Sequence, residues 1–365
     1  MYIHQRKNWP QFQWDESKLS SLLAQTRLSQ GRLLGRMGTL GFQLKNEATL
    51  SMLTQDVIKT SAIEGENLSP ASVRSSVARR LGIEIDNESK PDRNVEGIVD
   101  IMLDASRKYD KPIGQKRLFD WHGALFPTGY SGMKKIMVGQ WRNDSKGPMQ
   151  IVSGPMNHEK VHFEAPPAKK IKHEMNQYIS WFNSSTNSDL VIKASLAHYW
   201  FVVIHPFEDG NGRIARALSD MVLARSENSS HRFYSMSSQI DKERKSYYSI
   251  LEHCSNGDLD ITAWHEWFLN CLIKAIGASD ALLDSVLAKA KFWEEHAGEI
   301  FNQRQVEMVN RLFDNFIGKL TSSKWAKITK CSPDTALRDI NDLVDRQILK
   351  KEQSGGRSTH YSLKR

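Results

Sequence analysis

The sequence predicts a mainly α-helical protein with two short extended segments. Three observations carry this expectation. Apolar residues recur at helical spacing through most of the chain. The runs start and stop at Ser-Pro, Gly and Pro signals that cap or break helices. Extended-looking runs are confined to the regions around 149–163 and 347–363.

Taken in order, Leu19, Leu22, Leu23, Leu28, Leu33, Leu34, Met37, Leu40, Phe42 and Leu44 follow helical spacing. Residues 47–64 continue with Leu50, Leu53, Val57, Ile58 and Ile63 on one face, and Gly65 ends that run as a C-cap. Ser69-Pro70 opens a further helix through Val73 and Val77, with Pro in its first turn. Residues 82–91 are polar and predict a loop. Two helices follow over 95–125, ending near Phe126-Pro127. Residues 149–155 and 161–163 read as strands around a turn containing Gly154, Pro155 and Asn157. Pro166-Pro167 introduces a helix over 171–182 with Trp181 on its apolar side. Residues 194–204 form an apolar run long enough for a buried helix, and Pro206 makes a boundary there. Trp264, Trp267, Phe268 and Leu272 start a long helix expected to reach about Phe301.

The last 63 residues change character. Residues 303–365 carry thirteen Lys or Arg against seven Asp or Glu, most of the chain's net charge of +8. Val306, Val309, Leu312 and Phe313 mark one helix there, and Trp325, Ala326 and Ile328 a second. Ser332-Pro333-Asp334 caps a third, with Ala336, Leu337, Ile340, Leu343 and Val344 as its apolar face. Alternating residues 347–350 and 359–363 flank a turn around Gly355 and Gly356. Three helices and a hairpin resemble a winged helix-turn-helix. Arg338 is expected to face outward and Arg357 to ride the wing. A basic module raises DNA as a partner, whereas Asp334, Asp339, Asp342 and Asp345 on the same helix oppose phosphate. Docking to a protein is the other role such a module serves.

Composition narrows the classes. With 39% hydrophobic and 25% charged residues in 365, the chain can build two or three packed domains. The longest apolar run is too short to cross a bilayer, and residues 1–10 hold no apolar signal core. Cys254, Cys271 and Cys331 are odd in number, widely spaced and lack a Cys-x-x-Cys pair, which fits thiols in a reducing compartment. A cytoplasmic protein without membrane contact is the expectation.

The chemistry concentrates in His205-Pro206-Phe207-Glu208-Asp209-Gly210-Asn211-Gly212-Arg213-Ile214-Ala215-Arg216. Glycines on both sides of Asn211 allow a tight turn that presents consecutive N–H groups at a helix start. Free amides and the positive dipole end favour phosphate there. Arg213 and Arg216, three apart, share a helix face and add two guanidinium forks. Asp209 is a hard oxygen ligand of the kind Mg2+ uses beside polyphosphate. His205 is the residue able to take a proton near neutral pH.

Without a gap or mismatch, this stretch resembles the Fic family motif, His-Pro-Phe-x-(Asp/Glu)-Gly-Asn-(Gly/Lys)-Arg-x-x-Arg. The resemblance implies a Fic-type helical domain with a small β-hairpin flap over residues 111–275. Around it would lie an N-terminal helical region over 1–110, a connecting helix over 276–302 and the winged module over 303–365. It implies transfer of AMP from ATP, with Mg2+, onto protein hydroxyls. His205 would be the base, Asp209 the metal ligand, and Gly210, Asn211, Gly212, Arg213, Ile214, Ala215 and Arg216 the nucleotide cradle. Kinase-like relatives carry Lys at the position of Gly212, so Gly favours adenylyl transfer. Thr60-Ser61-Ala62-Ile63-Glu64-Gly65 matches (Ser/Thr)-x-x-x-Glu-(Gly/Asn), which marks an inhibitory helix (about 56–65) in this family. Thr60 and Glu64 would share its face. Tyr248 corresponds to an aromatic lying against the base, the bland alternative being core packing. Residues 149–163 would hold the target protein by adding a strand. A homodimer is common among relatives. Two rivals remain: a transcription regulator whose core senses nucleotide, and a transferase using another nucleotide donor.

Overall fold

The computed structural model describes residues 1–38, 42–85, 91–145, 147–153, 160–185, 188–313, 316, 318–352 and 359–364. They form two compact units, Met1–Asp280 and Ala281–Arg365. No helix among the described residues is long and apolar enough to cross a membrane.

The first unit begins with a 3-10 turn, Ile3–Gln5, then α1 Glu16–Gly38 and α2 Phe42–Ile63. The helical pattern read through Leu44 is therefore two helices, and Phe42 and Leu44 belong to the second. Ile58, expected on the apolar face of α2, is half-buried at its edge, while Asp56 is buried. Asp56 accepts from the Ser235 hydroxyl at 2.5 Å and the Ser237 N–H at 3.3 Å, which is how a carboxylate is tolerated there. α3 Pro70–Leu81 starts where Ser69 accepts from the Ser72 N–H, and α4 Arg93–Arg107 where Asp92 accepts from Asn94. α5 Gln115–Leu125 follows.

Two antiparallel hairpins come next: β1 Tyr130–Ser131 with β2 Lys134–Lys135, and β3 Gln150–Ser153 with β4 Lys160–Glu164. The second pairs Gln150 with Glu164 and Ser153 with Lys160, with a bulge between Ile151 and Val152. Residues 154–159, which hold the expected Gly154-Pro155 turn, lie outside the described residues. Phe163 is buried against Tyr2, and His4 Nε2–H donates to the Glu164 carbonyl at 2.8 Å, so the N-terminal turn clamps β4.

Three helices follow, α6 Ala168–Asn183, α7 Leu190–Ile204 and α8 Asn211–Glu227. Asp189 caps α7 through the Val191 N–H and every residue from Val191 to Ile204 is buried. A helix apolar all round belongs inside a core, and each large side chain so buried contributes about 1.5–3 kcal/mol. Two of its carbonyls accept from neighbouring side chains: Trp264 Nε1 donates to Ser195 O, and the Tyr178 hydroxyl to Ala197 O. α9 Met236–Lys242, α10 Arg244–Ser255 and the long α11 Thr262–Glu295 complete the order. α11 stops short of Phe301, at a turn running into Gly298.

The second unit holds α12 Gln303–Phe313, α13 Ser322–Thr329, α14 Pro333–Asp345 and the antiparallel pair β5 Leu349–Lys351 with β6 Tyr361–Leu363. Its core gathers Met308, Val309, Trp325, Ala336, Ile340, Leu343 and Leu349. Leu337, read as part of the apolar face, is exposed instead: one residue past Ala336, it turns about 100° away from the core. Asp339, one of the acids expected to oppose phosphate, is buried against Arg304 at 2.7 Å, and Asp342 pairs with Arg346. Arg338 is exposed as expected. Arg357 lies outside the described residues.

Candidate active site

The site forms where α7 hands over to α8. His205 ends α7 in the left-handed region (φ 50°), its N–H still donating to Phe201 O. Its Nδ1 lies 3.2 Å from the Val202 carbonyl, which can only accept, so Nδ1 carries the proton and Nε2 keeps its lone pair. Burial, and then the Arg142 charge, push the imidazole down to about 4, so it is neutral at physiological pH.

Between the helices the backbone is fixed from both sides. Asn211 Oδ1 accepts from the Phe207 N–H at 3.0 Å, and its Nδ2 donates to the Phe207 carbonyl at 2.9 Å. The Asn211 side chain is therefore spent on holding the turn. Gly210 caps α8 at φ 80°, where a Cβ would also come within 3.0 Å of Leu125 and Phe126. Ile214 N–H donates to Gly210 O. That leaves Asn211, Gly212 and Arg213 as first-turn amides, while the Ile214 and Ala215 side chains are wholly buried in the core.

Asp209 stands at the rim of the turn. Its Oδ1 accepts from the Gly210 N–H at 2.5 Å, its Oδ2 from the Ser131 hydroxyl, and its carbonyl faces His122. No cluster of three or more potential metal-binding side chains occurs among the described residues. One carboxylate nevertheless suits Mg2+, which keeps waters and takes substrate phosphate oxygens.

Both arginines are pulled inward. Arg216, 2% exposed, gives Nε to Thr60 Oγ1 at 2.6 Å and Nη2 to the Thr60 carbonyl at 2.9 Å and Glu64 Oε1 at 2.8 Å. Arg213, 4% exposed, gives Nη1 to Glu66 Oε2 at 2.7 Å, with its guanidinium 5.1 Å from the Phe126 ring centre. Among the described residues Arg213 Nε and Arg216 Nη1 are buried without a hydrogen-bond partner, and orphan cationic donors of that kind call for an anion. Glu64 lies directly over the turn: a Cβ at Gly212 would meet its Oε1 at 2.2 Å. Tyr248 is 43% exposed, and its hydroxyl donates to Ile63 O at 3.3 Å, beside the end of α2. The structure thus brings together His205, Asp209, Gly212, Arg213, Arg216, Thr60 and Glu64, with Tyr248 at the margin.

Sequence reading missed three supports. Arg142, buried, donates Nε to His205 O at 2.7 Å, Nη2 to Pro166 O at 2.5 Å and Nη1 to Asp144, while its own N–H reaches Pro206 O. It ties His205 to the segment that follows β4. His122 stacks on Phe207 at 4.1 Å, accepts from the Gly139 N–H at Nδ1 and donates from Nε2 to Asp209 O. Ser131 steadies Asp209. Arg142 and His122 lie 63 and 87 positions from their partners, and no local pattern marks such pairs.

Comparison with known proteins agrees with this geometry. Residues 112–223 match the Fic/DOC family, and residues 2–83 match a domain of unknown function, DUF4172. A 91-residue stretch is 33% identical to protein adenylyltransferase fic-1 of Caenorhabditis elegans, covering 24% of this chain and 17% of that protein. An 87-residue stretch is 38% identical to protein adenylyltransferase Fic of Drosophila virilis, covering 23% and 17%. The chain thus matches about a sixth of the length of these curated relatives. In fold it resembles the crystal structure of a Fic family protein from Desulfovibrio desulfuricans G20, with a TM-score of 0.53, 19% identity and 95% of each chain covered. With the helical fold, the turn and the family match in agreement, the chain carries a Fic/DOC family domain over residues 112–223.

Proposed function

We propose that the chain is a protein adenylyltransferase that moves AMP from ATP to Ser, Thr or Tyr hydroxyls of target proteins and of itself, restrained by Glu64. One arrangement carries the reading: a neutral imidazole beside a helix N-terminus whose two buried arginines keep unpartnered donors. The Asn211, Gly212 and Arg213 amides and the two guanidinium groups hold the phosphates. His205 Nε2 takes the proton of the target hydroxyl as its oxygen bonds to the α-phosphorus. The bond from that phosphorus to the β-phosphate bridging oxygen breaks, and pyrophosphate leaves with the electron pair. Asp209 would hold Mg2+, whose charge offsets that of the polyphosphate. General-base help is worth about 10²–10⁴-fold, with positioning and charge stabilisation supplying much of the rest.

The exposed Ile151, Val152 and Val161 on the β3–β4 pair suit a target segment that adds as a further strand. Residues 303–365 then act in docking, since the phosphate-facing residues lie upstream of them. Glu64, seated over Gly212 and paired with Arg216, occupies space and charge that the terminal phosphates need. The test is incubation of wild type and Glu64→Gly with each α-phosphate-labelled nucleoside triphosphate, Mg2+ and a cell lysate. ATP should label the enzyme itself and target bands, and more strongly in Glu64→Gly. No label from any nucleotide in either protein would overturn the reading.

A further inference from the structure

Two carboxylates enter the turn, and only one belongs to the inhibitory pattern, which ends at Gly65. The second is Glu66. Its position follows from the way α2 stops: Gly65 N–H donates to Ala62 O, and Glu66 N–H reaches back to Ser61 O at 3.0 Å. With Gly65 at φ 85°, this is a Schellman closure, the chain reversing through a left-handed glycine. The reversal brings the side chains on both sides of the glycine to the α8 N-terminus. Glu64 reaches Arg216 at 2.8 Å, and Glu66 reaches Arg213 at 2.7 Å. The next carboxylate near Arg213, Asp209, is 4.0 Å away. Arg213 is buried while Glu66 is 44% exposed, so the pair sits at the mouth with its acid on the solvent side.

We propose that Glu66 is a nucleotide-affinity residue: it holds Arg213 as Glu64 holds Arg216, and phosphates must displace both carboxylates to bind. The inference rests on the nucleotide-transfer reading above. Two arms on one glycine turn also reinforce each other, since the arm still bound keeps the released one at high local concentration.

The test is isothermal titration of ATP into full-length wild type, Glu66→Gln, Glu66→Asp, Glu64→Gly and the Glu64→Gly/Glu66→Gln double variant, with thermal unfolding as a folding control. Glu66→Gln, isosteric and half-exposed, should tighten ATP about fivefold, the upper end of what a solvent-open ion pair contributes. Glu66→Asp, which keeps the charge with a shorter reach, should fall between it and wild type. The double variant should bind more tightly than Glu64→Gly alone. Should Glu64→Gly gain affinity while Glu66→Gln and the double variant add nothing, the inference falls and the transferase reading stands. Absence of ATP binding in every folded variant would overturn both.

Discussion

The turn at 205–216 and the segment that faces it are built in opposite ways. Residues 205–216 are locked by buried groups: Asn211 clasps Phe207 twice, His122 stacks on Phe207, and Arg142 holds the His205 carbonyl. The facing segment ends in two acids, Glu64 and Glu66, whose side chains are 27% and 44% exposed and which reach across to arginines 2% and 4% exposed. The difference teaches where each property is kept. Geometry that must not vary sits in a low-dielectric core, where every lost partner is costly. The facing contacts are ion pairs whose acids stay partly open to water while their arginines are buried.

The sharpest way to break the first half of the comparison is His205→Ala. Transfer should fall about 10²–10⁴-fold while ATP binding, measured by titration, persists, because His205 supplies none of the phosphate donors. The opposite half is tested by Glu64→Gly. Removing a bidentate-capable acid from Arg216 should raise self-labelling up to about a hundredfold, equivalent to about 2.7 kcal/mol, with little change in thermal unfolding. Equal labelling rates would reduce residues 56–65 to packing. Gly65→Ala sharpens the contrast further. It leaves both acids in place but puts a side chain at φ 85°, with a cost of about 1–2 kcal/mol. Labelling should rise roughly fivefold through a loosened turn.

The smallest effect concerns pH. An imidazole held down to about 4 by burial and Arg142 stays neutral well below its ordinary value of 6.5. Loss of a base follows protonation, so activity should fall only as pH drops toward the depressed value. At pH 5.5, kcat/KM, which reports the free enzyme, should lie within about twofold of its value at pH 7. An unperturbed histidine would lose nearly tenfold. An acid limb centred near 6.5 would show that His205 is not held as the structure has it, or is not the base.

Much of this molecule was legible in advance, for identifiable reasons. Ser69-Pro70 and Ser332-Pro333 opened helices where read, because capping is chemistry between residues two or three apart. The apolar run before His205 became a buried helix, since a segment with no polar face has nowhere else to go. Reading was less sure at the margins of faces. Ile58 and Leu337 look identical to their buried neighbours in a periodic pattern, yet lie at the edge of or beyond the covered stripe. The ion pair that buries Asp339 was not legible, because its partner, Arg304, is 35 positions away.

The sequence by itself determined the order of helices, the turn at 205–216 and the residue types gathered there. These rest on local rules: spacing along a helix, glycine's access to positive φ, and the fixed φ of proline. Only the tertiary structure decided which buried arginine meets which acid, that Gly212 leaves room for Glu64, and that Arg142, His122 and Ser131 support the site. Glu66 and Arg213 are 147 positions apart. A pairing at that distance is set by how whole helices pack, because periodicity states which face is covered and not what covers it.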